Sequence, residues 1–145
     1  MSRRLRLRHL PGRLTTGVFI VNSGLSKRHV DDQTAAALHG MAAAAYPFLR
    51  SMAPRRFVRL VCAGELALGT ALLLPVVPAA VAGAALTAFS GGLLSLYLRI
   101  PEMREEGSLR PSQQGLTIAK DVWMFGIGLT LLIDGLGDDG LGDDE

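Results

Sequence analysis

Residues 60–98 form an apolar stretch in which Glu65 is the sole formally charged side chain. Two runs of mostly apolar residues meet within it at Pro75-Val76-Val77-Pro78. Each run is about 20 residues long, which is what a helix needs to cross the hydrocarbon core of a bilayer. Two long, nearly uncharged helices joined by so short a turn have no reason to form in water. The stretch is therefore expected to be a transmembrane hairpin, with the remaining helices packed around it. Glu65 then needs a partner or a proton, because a carboxylate at membrane depth is costly.

Charge elsewhere is low, at 19% of residues, and it is segregated. Arg3, Arg4, Arg6, Arg8 and Arg13 crowd the start without an acid among them, while the last residues from Asp134 hold acids and no base. The formal net charge of +2 is the sum of a basic head and an acidic tail. It is not the footprint of a nucleic-acid surface, and no nucleic-acid partner is expected. A lone cysteine, Cys62, excludes an intrachain disulfide, CxxC redox chemistry and a multi-cysteine metal site. It sits in an apolar run and reads as a packing residue. The head lacks a small-residue cleavage site, so a retained first helix is expected and not a signal peptide.

In chain order, a basic arm (1–10) precedes a helical membrane domain (11–134) and an acidic, disordered tail (135–145). The first helix spans 11–25, with Pro11 in its first turn, where a missing N–H costs nothing. Its polar and small residues, including Arg13, Asn22, Ser23 and Gly24, suit a helix packed among others. A short loop helix over 33–46 is capped by Asp31 or Asp32 and ended by Pro47. The second and third helices span 57–74 and 79–98. The third carries two small-residue stripes, Gly83/Thr87/Gly91 and Ala84/Ala88/Gly92, both candidates for helix packing. Tyr97 and Arg99 are expected at the membrane interface. A charged connection leads to a fourth helix over 116–134. The expected fold class is all-α: an integral membrane four-helix bundle with a short loop helix between helices 1 and 2.

In an up-down-up-down bundle the end of helix 1 and the start of helix 4 lie on the side where helix 2 begins. Glu65, Lys27, Lys120, Asp121 and Asn22 can then converge within one leaflet. Either Lys120 or Lys27 is the expected partner of Glu65. Such a pair fixes helix register, or it forms a site for a quinone headgroup, a proton or a small polar solute. No metal ligand set and no catalytic residue is assigned.

These residues also support a family comparison. The chain resembles the DoxX family of small four-helix membrane proteins, in particular its actinobacterial-like members. The resemblance rests on G-L-S-K at 24–27, A-G-E at 63–65, the A-L-L-L-P of the hairpin at 71–75, and A-K-D at 119–121 followed by the glycine-containing apolar run with Gly126. It covers about residues 10–135. It implies a membrane-bound role linked to redox biology, since relatives include subunits of a thiosulfate:quinone oxidoreductase and members of oxidative-stress complexes. The sequence has no flavin, haem or iron–sulfur motif, so the expected role is a membrane subunit or scaffold in a quinone-linked or thiol-stress redox assembly. Electron transfer would then use a bound quinone or soluble redox enzymes as partners. The alternative is a small proton-coupled transporter, a homo-oligomer that exchanges a proton at Glu65. A multi-pass protein of the cell membrane is expected, with four spans and both termini on one side. The first helix with its arginine-rich head favours the cytoplasmic side.

Overall fold

The computed structural model describes residues 7–140, and among these the chain is all-helical, without a strand. Residues 1–6 of the basic arm and 141–145 of the acidic tail lie outside the described residues. The helices are α1 (Leu10–Ser26), α2 (Asp32–Ala45), α3 (Pro54–Leu73), α4 (Ala79–Arg99), α5 (Leu116–Ala119) and α6 (Val122–Gly140). Prolines set most boundaries. Pro11 and Pro54 occupy the first turns of α1 and α3, and Pro47 follows the end of α2. Pro78 caps α4 after the reversal that begins at Leu74. The Asp31 carboxylate accepts from the Thr34 N–H at 2.7 Å and so starts α2, satisfying a donor that the helix itself leaves open.

Two antiparallel helix pairs make the bundle. α1 lies against α3, where a Cβ on Gly69 would sit 2.9 Å from Val21 N and 3.0 Å from Gly17 O. α4 lies against α6, where a Cβ on Gly83 would sit 2.4 Å from Leu132 N and 2.7 Å from Gly128 O. Glycine thus lets backbone meet backbone in both pairs. The pairs join through a core of Ile20, Leu68, Leu72, Leu86, Met124 and Leu131. Only one of the two small stripes on α4 is a packing surface. Gly83 and Thr87 meet α6, while Ala84 and Ala88 are exposed and a Cβ on Gly92 would meet nothing. Gly83→Ala is therefore expected to cost about 1–3 kcal/mol as the pair is forced apart. Gly92→Ala should leave the melting temperature in detergent nearly unchanged, and thermal melts of the two variants side by side check this.

α2 lies across one end of the bundle. Its Ala45 joins Leu96, Tyr97, Met103 and Ile118 in a second cluster. Tyr46 Oη donates to Gly92 O at 3.0 Å, and the Arg99 guanidinium lies 5.0 Å from the Tyr46 ring centroid while donating to Ala45 O at 3.1 Å. Tyr97 faces inward, 8% exposed, and its hydroxyl donates to Leu109 O. The connection before α5 supplies the partner that turns it inward.

The expected fourth helix over 116–134 differs in two ways. A tightened turn at Lys120 and Asp121 separates α5 from α6, with Asp121 N–H bonded to Ile118 O and Trp123 N–H to Lys120 O. The helix also continues past Asp134 to Gly140, because Gly135 seats against the Ala80 backbone, where a Cβ would lie 2.3 Å from Ala80 N.

Two stretches are long and apolar enough to cross a membrane, Ala79–Arg99 and Leu116–Gly137. Only 28% of the first and 17% of the second is buried inside the molecule, whereas the core helix of a soluble protein is mostly covered. Their outward side chains include Val81, Val122, Ile133 and Leu136. By length and composition alone α1 and α3 do not qualify. α1 has 17 residues, and α3, half of the expected hairpin, carries Arg55, Arg56, Arg59 and Glu65.

Candidate functional site

The polar centre of the bundle lies between α1 and α3. On α3 the buried positions Val58, Cys62, Glu65, Leu68, Gly69 and Leu72 follow a helical period, so Glu65 belongs to the packed face and is 4% exposed. On α1 the approach is made at Gly24, where a Cβ would lie 3.2 Å from Glu65 Cβ and 3.1 Å from Leu66. Cys62 Sγ donates to Gly24 O at 3.1 Å across the same contact. Lys27, directly after α1, then reaches back one turn.

Lys27 Nζ lies 3.0 Å from Glu65 Oε1 and 2.9 Å from Oε2. It also donates to Ser23 Oγ at 2.7 Å and approaches Ser23 O at 3.3 Å. The Ser23 hydroxyl donates in turn to Glu65 Oε1 at 3.1 Å, closing a three-residue ring. Only Oε1 is aligned for hydrogen bonding. Oε2 is fully covered and faces the ammonium charge without accepting a hydrogen bond among the described residues. The Lys27 side chain is 19% exposed against 6% for Glu65, so the cation sits toward the loop end and the anion deeper.

Of the five residues expected to converge, Lys27 and Glu65 are bonded to each other, and Asp121 lies near enough to Glu65 for their charges to oppose one another. Lys120 does not join. It is exposed and has no acid partner among the described residues, because the tightened turn between α5 and α6 points it outward while Asp121 stays half-buried. Asn22 does not join either. The buried face of α1 runs through Arg13, Thr16, Gly17, Ile20 and Gly24, and Asn22 lies on the opposite side. Ser23 takes the place foreseen for it. The signal that could have found Ser23 is its spacing, four residues before Lys27 and three after Ile20 on the buried face.

Two further polar contacts escaped the sequence reading. Arg13 is buried at the other end of the α1/α3 pair, 7% exposed. Its Nε donates to Leu72 O at 2.8 Å, Nη1 to Val77 O at 3.0 Å, and Nη2 to Ala71 O at 2.9 Å and Leu74 O at 2.7 Å. Close by in the chain, Arg8 Nε and His9 Nε2 approach Asp134 Oδ2 at 3.1 and 3.2 Å, tying the start of α1 to α6. Among the described residues no three of His, Cys, Asp and Glu gather as a metal site would require.

Searches against family models, curated proteins and solved structures give no match to this chain.

The Lys27–Ser23–Glu65 ring has a definite chemical character. It brings a full positive and a full negative charge together in one buried unit, so the helices bearing them present little net charge to their surroundings. A broken ring would leave a carboxylate or an ammonium alone among apolar side chains.

Proposed function

We propose that this chain is an integral membrane protein in which α1, α3, α4 and the α5–α6 segment all cross the bilayer, with both termini on one side. In this reading it is a DoxX-like membrane subunit or scaffold of a quinone-linked or oxidative-stress redox assembly. The observation that carries the proposal is the direct pairing of Lys27 with Glu65. Glu65 is the charge that most opposes the passage of α3 through lipid, and Lys27 cancels it. The other charges of α3, Arg55, Arg56 and Arg59, lie in its first turns, where long side chains can reach the headgroups. α1 is short for a span, and its ends are held by Arg13 and Lys27 through polar contacts with α3. The outward apolar surface of α4 and α6 supports the same reading.

The pairing favours a structural role for Glu65 over transport. A proton-coupled carrier needs its carboxylate open to water from each side in turn, and Glu65 is 4% exposed and bonded to a lysine. The redox assignment rests on the motifs shared with DoxX proteins. The chain's own part would be to hold the membrane platform on which a quinone or a soluble enzyme acts.

Site-directed labelling tests the spans. In a Cys62→Ala background, Val76→Cys in the α3–α4 turn and Leu109→Cys in the long connection are 73% and 71% exposed positions for a membrane-impermeant maleimide. Labelling from opposite sides of intact vesicles is expected. Labelling of both from the same side would remove α4 as a span and end the four-span reading. For the redox role, quinone extracted with the purified protein is expected to be enriched over bulk lipid. A quinone content equal to that of the bulk lipid would overturn quinone binding by this chain.

A further inference from the structure

The turn Lys27–His29 at the end of α1 packs against the start of α3. Arg55 ties the following residues to α3, with Nε donating to Asp32 Oδ1 at 2.5 Å and Nη1 to Val30 O at 3.3 Å. The Cys62–Gly24 contact fixes the relative height of the two helices. With a rise of 1.5 Å per residue, Arg59 stands about 4.5 Å from Cys62 toward the loop end, level with the last residues of α1. Arg28 from one helix end and Arg56 and Arg59 from the other therefore stand at the same end of the α1/α3 pair.

Lys27 gives its charge to Glu65, and Arg55 gives its charge to Asp32. Arg28, Arg56 and Arg59 are exposed, and none has an acid partner among the described residues. The nearby Asp31 carboxylate is held by the Thr34 N–H at the cap of α2, and guanidinium groups gathered at one end of a helix pair repel one another unless a further anion joins them. Immediately beside them toward the bundle's middle, Leu25 on α1 and Leu60 on α3 are 46% and 54% exposed. Guanidinium groups above an open apolar band match a molecule with an anionic head and a hydrocarbon tail. A soluble polyanion would leave the leucines uncovered.

We propose that Arg28, Arg56 and Arg59 form a headgroup site for an anionic phospholipid, with Leu25 and Leu60 receiving the first part of an acyl chain. The site rests on the membrane-spanning reading but is separate from the Lys27–Glu65 pair and from any redox role. Basic side chains at a membrane surface favour anionic lipid by an amount equal to roughly fivefold in affinity per residue. Arginine adds a planar fork that fits phosphate.

The test uses the full chain in nanodiscs of phosphatidylcholine alone and of phosphatidylcholine mixed with phosphatidylglycerol. Lipid retained on the protein is counted by native mass spectrometry. The wild type is expected to retain phosphatidylglycerol over phosphatidylcholine, less so at high salt. The Arg28→Gln/Arg56→Gln/Arg59→Gln variant should lose that preference, and Arg50→Gln/Arg110→Gln, which removes two exposed bases outside the patch, should keep it. Single Arg28→Gln and Arg59→Gln variants, each expected to lose roughly fivefold, carry the test if the triple variant does not assemble. Insertion with no preference between the lipids, or a preference indifferent to these arginines, overturns the site alone. Glycerol phosphate binding to the same arginines in phosphatidylcholine discs would make it a soluble-anion site and overturn the lipid. Failure to insert into either disc would instead overturn the spanning reading and the site with it.

Discussion

Arg13→Met is expected to be among the most destabilising single substitutions in this chain. The last carbonyls of any helix lack partners within it, and at the end of α3 they include those of Ala71, Leu72 and Leu74. One guanidinium serves all three, along with Val77 O in the turn beyond. It also places a positive charge at the negative end of the helix dipole. Methionine would fill much of the volume and satisfy none of these groups. Leu74 O keeps a bond from Val77 N–H, but Ala71, Leu72 and Val77 lose the one described donor from outside their own helix or turn. Each stranded carbonyl costs about 1–3 kcal/mol, so a loss of about 3 kcal/mol or more is expected. That is a large part of the roughly 5–15 kcal/mol available to a folded domain. Arg13→Lys should fall between wild type and Arg13→Met. Its ammonium keeps the charge but cannot spread donors over four carbonyls as a fork does. Denaturant unfolding in a fixed detergent, followed by helical circular dichroism, ranks the three proteins. An Arg13→Met protein as stable as wild type would mean that water replaces the guanidinium and that the arginine is not a clamp.

The contrast between Arg13 and Glu65 explains how much of this fold was legible beforehand. Glu65 stands alone in a long apolar run, so its oddity is visible without knowing what it touches. The two cations expected as its partner, Lys27 and Lys120, were both visible as well. What decides between them is a close approach of α1 to α3 at Gly24, set against a turn that rotates Lys120 outward. Neither is a local property of the chain. Arg13 sits near other arginines and looks like part of a basic head. Its partners are backbone carbonyls, which every residue has, so no sequence pattern announces them. Helix ends were legible where proline or an aspartate cap sets them, as at Pro47 and Asp31, whereas α3 starts at Pro54, three residues before the expected 57, because the basic residues that follow Pro54 hid its place in the first turn. The end of α6 was not, because the helix is carried past Asp134 by the seat of Gly135 on Ala80, a tertiary contact. The stripes on α4 show the same limit. Periodicity marks two faces as suitable for packing, and only the position of α6 selects Gly83 and Thr87 over Ala84 and Ala88.

Lys27→Met is expected to cost more than Glu65→Leu, and the double substitution less than the sum of the two. Removing the lysine leaves a carboxylate in a site 4% exposed, with the Ser23 hydroxyl as its one described donor. A charge stranded in this way costs about 3–5 kcal/mol. Removing the glutamate strands a lysine at the end of α1 whose side chain is already 19% exposed. That side chain can swing toward the loop end, and its loss should be smaller. With both replaced, α1 and α3 meet through apolar side chains of similar volume, and most of the stability should return, as it does when a buried ion pair is exchanged for a packed apolar one. The coupling energy from the four proteins measures the pair itself, because each single variant also reports the charge it leaves behind. Additive losses would mean that Lys27 and Glu65 do not act together and that α1 and α3 are held in register by their glycine contacts alone. A stable double variant also divides the two roles that Glu65 can play. If quinone enrichment survives in it, the carboxylate serves to hold the helices together. If the fold survives and the enrichment is lost, the carboxylate or its lysine takes part in binding, and Glu65→Gln, which keeps the shape and an acceptor for Lys27 without the charge, then separates a hydrogen bond to the ligand from an ionic one.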